Sequence, residues 1–236
     1  MKVAFLTPWP PDTSGIADYF SELALWLRGQ GLKFEVFTGC PVPRPMGDIP
    51  LHSLAKGKEP DLTSFDLLCY HMGNSFQHHK ELLPLLKSNP GVVHLHDLCL
   101  HHFFCSWAED SGDHGRYFEL LEKWYGTTVR KGLQRLWDLE GPCWHSALVN
   151  SVPLFEEVMQ HARAAIVHSR FALDALEKAF PSLPTRLVPQ VYAQNPIVEA
   201  KQRPDGLIRF GLFGHVNKNK CIELFLKAFA AVYTGQ

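Results

Sequence analysis

The sequence has no C-x-x-C pair, no basic block and no apolar run long enough to cross a membrane. Each absence removes a class of protein. The six cysteines (Cys40, Cys69, Cys99, Cys105, Cys143, Cys221) are scattered through mostly apolar contexts, the usage of reduced structural thiols rather than of a zinc knuckle or a disulfide framework. A formal net charge of −1, with no aromatic-plus-arginine motif, argues against nucleic acid as the main partner. At the N-terminus one lysine precedes only four apolar residues before Thr7 and the prolines, too few for a signal peptide or a span, so a cytoplasmic location is expected. What the chain does have is 46% hydrophobic and 20% charged residues over 236 positions, enough for one full core and part of another. Its compositional oddity is thirteen histidines.

The stretch that organises the rest runs from Val3 to Leu27. Val3, Ala4, Phe5 and Leu6 form an unbroken apolar run, the pattern of a strand covered on both faces in a parallel sheet. Pro8, Pro10 and Pro11 stop regular structure. From Ile16 onward Ile16, Phe20, Leu23 and Leu27 fall on one helical stripe, Ser14 is placed to cap the helix, and Gly29 and Gly31 close it. Gly15 lacks a Cβ, so a ligand can approach the backbone where the first helical amides favour an anion. An ordinary loop and cap would read the same way from local features alone.

Lys33 to Thr38 then alternates as a strand, which completes a right-handed βαβ crossover. Cys40 to Pro60 is broken by Pro41, Pro43, Pro45, Pro50 and Pro60 and reads as loop, with Ile49 to Leu54 as its one short strand. Phe65 to His71 is the next buried strand, Phe76 to Leu86 a helix despite Pro84, and Val92 to His96 a further strand followed by a helix from Leu98 through Trp107. The segment from Glu109 to Gln160 reads as an inserted helical subdomain, divided at Gly112, Gly126, Gly141-Pro142 and Pro153. Ala164 to His168 returns to strand, Ser169 caps a helix through Phe180, and Leu187-Val188 offers one more short strand. After a linker, Leu207 to Phe213 repeats the buried-strand theme, followed by Gly214, a polar loop from His215 to Lys220 and an apolar helix from Ile222.

This pattern specifies an α/β chain. It is a Rossmann-like doubly wound parallel sheet over 1-204, with a helical insertion at about 106-160, and residues 205-236 begin a second domain of the same kind. The loops at Ser14-Gly15, His71 to Asn74 and His96-Asp97 each follow a strand and so meet at one edge of the first sheet, where such folds place their sites. His96 stands out, because a histidine at a strand's carboxyl end can hydrogen-bond a sugar hydroxyl or stabilise developing charge. His94 faces the same side but deeper, as a structural histidine satisfied by a carbonyl. Asp97 points away from His96 and is expected to cap the next helix.

Five blocks in order, PWPPDTSGIADY, FDLLCYHMGNS, GVVHLHDLCLHHF, AIVHSRFALDAL and FGLFGHVNKNKCIELFLKAF, resemble the family 4 retaining glycosyltransferases of the two-domain GT-B fold. The resemblance covers nearly the whole chain. It implies transfer of a hexose from a nucleotide-diphosphate sugar to an acceptor hydroxyl, with retention, in bacterial glycan or glycolipid synthesis. His96 resembles the family histidine that contacts the donor sugar near its reacting carbon. Ser14 and Gly15 would lie against the donor, and Gly73, Asn74 and Asp97 would complete the substrate side. Gly214, His215 and Lys220 would hold the donor diphosphate, with His215 where many relatives carry arginine.

The resemblance implies no metal and no cofactor beyond the nucleotide sugar as co-substrate. The implied partners are that donor and a glycan, lipid-linked or small-molecule acceptor, with peripheral contact to the inner face of a membrane. The family's second domain continues for over a hundred residues to an acidic E-x7-E-type motif, and none of that motif is present. The expectation is therefore that residues 1-236 alone do not turn over and self-associate through the C-terminal helix. Two readings from other classes stand beside this one. A metal-dependent hydrolase is prompted by His94-x-His96-Asp97 and by His101-His102, with only His168 at a suitable place among the later strand ends. A noncatalytic glycan- or partner-binding domain is the other.

Overall fold

Seven strands form one sheet in the order β3-β2-β1-β4-β5-β6-β7, and every neighbouring pair is parallel. They are β1 (Lys2–Leu6), β2 (Lys33–Thr38), β3 (Leu51–Ser53), β4 (Leu67–Met72), β5 (Val92–Leu95), β6 (Ala164–Val167) and β7 (Thr185–Leu187). The computed structural model describes residues 1–57, 59–141, 146–190, 210–212 and 221–234. The chain divides into two compact units, Met1–Gln194 and Asn195–Gln236, and the whole sheet lies in the first.

Helices cover both faces. Alternation along each strand sorts the core into two layers. Ala4, Leu6, Tyr70, Met72, Val93, Leu95, Ala165 and Val167 pack on one side with α3 (Leu82–Ser88), α4 (His101–Asp110), α5 (Gly115–Glu140), α6 (Glu156–Met159) and α7 (Arg170–Ala179). Val3, Phe34, Val36 and Cys69 pack on the other with Tyr19, Phe20 and Ala24 of α1 (Gly15–Gly29). The segment read as an insertion shares the main core: Tyr117, Phe118, Leu121 and Leu133 of α5 are buried in the same layer as the strands. Its divisions fall at glycines. Gly112, Gly126 and Gly141 all take positive φ, and Gly126 (φ 83°, ψ 169°) kinks α5, a conformation that a residue with a Cβ rarely adopts. Buried Glu157 ties this segment down, accepting from Lys123 and Trp124 of α5 and from Lys87 of α3.

Two helix expectations are corrected. The run from Phe76 to Leu86 is broken into α2 (Phe76–His79) and α3, because in a continuous helix the Pro84 ring would meet the Lys80 carbonyl. The helix expected from Leu98 starts at His101, since the chain needs residues 96–100 to leave the sheet. The closing turn of α1 is as expected at Gly31 (φ 81°), while Gly29 stays helical. In the second unit α8 (Ile222–Thr234) carries Phe225 and Phe229, whose rings lie 6.2 and 5.6 Å from that of Phe210. Residues 210–212 carry no regular secondary structure, and the rest of the expected strand from Leu207 to Phe213 lies outside the described residues. No helix among the described residues is long and apolar enough to cross a membrane.

Candidate functional site

The strand order reverses between β1 and β4, the switch point beyond whose carboxyl ends open α/β sheets place their ligands. The loop after β1 is held on its outer side: Trp9 Nε1 donates to the Arg44 carbonyl at 2.8 Å and the Arg44 amide donates to the Pro10 carbonyl at 2.7 Å. That fixes the approach to Ser14. Ser14 is extended (φ −131°, ψ 130°) and its Oγ accepts from the Ile16 amide at 3.3 Å, the cap expected for it. One of the first helical amides is thereby spent on the cap. Gly15 is exposed, and a Cβ added there would meet no atom within 4 Å.

Gly73 is different. A Cβ at this buried position would fall 2.6 Å from Ile16 Cδ1, 3.0 Å from Asp97 Oδ2 and 3.2 Å from His79 Cε1. Its lack of a side chain lets three elements close together. Asn74 joins them further: its amide donates to Asp97 Oδ2 at 2.9 Å, and its Oδ1 accepts from the Phe103 amide at 3.1 Å in the first turn of α4. The expected capping role of Asp97 is therefore corrected. The start of α4 has no side-chain cap from its own preceding residue; Asn74 supplies that bond from another loop, and Asp97 holds Asn74.

Strand register builds the centre of the site. His71 of β4 pairs with His94 of β5, and His94 pairs with Ile166 of β6. Period-two alternation then brings His96 and His168, each two residues further on, to the same face at the same edge. The rings crowd together accordingly: the centroids of His71 and His94 are 4.6 Å apart, His94 and His96 4.5 Å and stacked, His94 and His168 4.5 Å, and His96 and His168 5.0 Å. His71 Nδ1 lies 3.0 Å from His96 Nε2. Tyr19 of α1 presents an edge-on ring to His94, His96 and His168, and Phe20 covers His71 at 4.5 Å. The one face of α1 thus roofs four imidazoles where a Rossmann-like sheet would ordinarily bury aliphatic side chains.

Burial first, and then each ring's neighbours, make these histidines poor bases. Desolvation lowers His71 well below the usual histidine value, helped by the nearby His94 and His96. The same two effects bring His94 to about 3 and His96 to about 2. His79, whose Nδ1 donates to the Ser75 carbonyl at 2.7 Å, is lowered by burial to about 4. At neutral pH these rings are uncharged, each with one N–H and one lone pair. His96 can therefore orient or hydrogen-bond a substrate hydroxyl at neutral pH but has no extra proton to give. The carbonyl expected to satisfy His94 is absent at Nε2, which is buried without a partner; this corrects its reading as a satisfied structural histidine.

His101, grouped with His102 as a possible ligand pair, faces elsewhere: its Nε2 donates to the Val152 carbonyl and its Nδ1 accepts from Tyr117 Oη at 2.6 Å. His71 was legible only as the end of a strand, and His168 as the end of another that offered a possible metal ligand. Their spacing from Cys69 and Ile166 would reveal a shared face once the register was known. Gly214, His215 and Lys220 lie outside the described residues. Two cavities, of about 270 and 590 Å³, open beside the amino ends of β4 and β5 and beside β2 and β3, and none of the candidate residues lines either.

No family model matches the chain. No curated protein matches it either. The functional reading accordingly rests on the geometry just described and on the sequence motifs.

Proposed function

We propose that this chain carries the acceptor-side domain of a retaining glycosyltransferase together with a diphosphate-binding segment, transferring a hexose from a nucleotide-diphosphate sugar to a hydroxyl. The observation that supports this best is the convergence of Ser14-Gly15, Gly73-Asn74 and His96-Asp97 at the switch point of a parallel sheet, with open space over Gly15. Gly15 admits the donor against the start of α1. The neutral His96 imidazole hydrogen-bonds the sugar near its reacting carbon, and the Asn74–Asp97 bond keeps the two loops at fixed separation. The sequence motif assigns Lys220 and His215 to the departing diphosphate. The acceptor is a glycan, a lipid-linked sugar or a small molecule.

The test is turnover. In a form of the protein that transfers sugar, His96→Ala lowers turnover by roughly 10²-fold with the circular dichroism unchanged. Unaltered turnover would remove His96 from the site. Because burial holds His96 near 2, its contribution carries no titration between about pH 5 and 8. A metal-dependent hydrolase is the second reading, favoured by the set His71, His94 and His96. Among the described residues no Asp, Glu or Cys joins that set, and such hydrolases ordinarily use a carboxylate as ligand or base.

A further inference from the structure

We propose that His71, His94 and His96 form a binding site for a divalent transition cation of the zinc class. One ligand atom from each lies within 4.8 Å of the other two. His71 Nδ1 and His96 Nε2 share a hydrogen bond at 3.0 Å; an ion in place of that proton would hold the two nitrogens roughly 3.3 Å apart, each about 2.0 Å from a tetrahedral centre. His94 brings a buried Nε2 with no partner, which burial without a ligand makes costly.

His168 supports the set from just beyond β6. Its Nδ1 donates to the Val188 carbonyl at 2.7 Å, which leaves the lone pair on Nε2, and that atom too is buried without a partner. A backbone carbonyl that fixes the tautomer in this way is the usual outer support of a metal-facing histidine. The imidazoles are neutral, so binding requires only that the ring donating the His71–His96 bond shift its proton to its other nitrogen.

The chemistry of the donors selects the ion. Calcium and magnesium require oxygen ligands, whereas imidazole suits zinc, copper, iron and nickel. Three histidines leave a fourth position on the ion open, to a water or to His168. The site does not depend on the transferase reading. Coordination through His96 Nε2 would put the proton of that ring on Nδ1, so that a metal-bound His96 remains a hydrogen-bond donor toward another ligand.

The experiment is calorimetric titration of the 236-residue chain with Zn²⁺, and with Co²⁺ followed by its visible absorption. The variants are His71→Gln, His94→Gln and His96→Gln, with His52→Gln as a surface control, since His52 pairs with Glu35 at the far side of the sheet. One equivalent of ion with the strong absorption of four-coordinate Co²⁺ is expected, and each cluster substitution should weaken binding by at least about tenfold. His52→Gln should leave it unchanged. Zn²⁺ should also raise the unfolding temperature of the wild type and fail to raise that of His94→Gln. If His71→Gln and His94→Gln do not fold, the less buried His96→Gln carries the comparison. The proposal is overturned by the absence of stoichiometric binding, or by binding that survives the cluster substitutions or is lost with His52→Gln. Binding is read directly, so failure here leaves the transferase test standing, and failure there leaves this one.

Discussion

At Gly15 and Gly73 the same residue type serves opposite ends. A Cβ at Gly15 meets nothing within 4 Å, whereas one at Gly73 strikes Ile16, Asp97 and His79. Gly15→Val should therefore leave the fold nearly intact, since valine meets no neighbour there and has a higher helix propensity than glycine at the first position of α1. Its branched side chain would occupy the space that a donor sugar or phosphate needs. Thermal unfolding together with ligand titration checks this: the expected outcome is an almost unchanged melting temperature with donor binding lost. Loss of folding would show instead that Gly15 is required by the loop, and retained binding would move the donor elsewhere. The sequence placed both glycines after strands, but it could not distinguish an open glycine from a packed one, because the difference lies in Ile16 and Asp97 arriving from other elements.

Among the elements, β1, α1 and β2 were readable almost to the residue, since each has an uninterrupted period and clear punctuation at Ser14 and Gly31. The first turn of α4 was not. Its cap comes from Asn74, 29 residues earlier in the chain, and no local pattern announces a cap borrowed from another loop. Asn74→Ala removes the acceptor of the Phe103 amide and should destabilise the domain by about 1 kcal/mol. It should also loosen α4, seen as faster hydrogen exchange at Phe103 and the residues after it. Exchange rates equal to those of the wild type would show that the bond holds nothing. The histidine cluster was illegible for a related reason. His94 and His96 are visibly on one side of a strand, but His71 and His168 join them only through the register of β4 and β6 against β5, which tertiary packing decides.

For the whole molecule the buried histidines set a dependence on acid. His71, His79 and His94 are lowered by burial in the folded chain, His94 to about 3 and His79 to about 4, from the ordinary value of 6.5. Their folded pKa values are depressed, so the unfolded chain takes up protons first as pH falls below about 6.5. The stability they permit is fully present above that value and is lost below it, at up to about 1.4 kcal/mol per pH unit for each histidine. Glu156, raised by burial, works weakly in the other direction, and Glu157, lowered against its own burial by bonds from Lys123 and Trp124, yields only in stronger acid. Urea midpoints should fall steeply between pH 7 and pH 5, and equal midpoints would contradict the cluster's burial. The most direct measurement of the central claim is an NMR titration of this chain with a panel of nucleotide-diphosphate hexoses. The account predicts weak binding, with dissociation constants of about a millimolar or above, and shifts confined to the Gly15 and Ile16 amides, the Asn74 loop and the His96 ring. Shifts centred away from that edge, or none with any donor at saturating concentration, would contradict it.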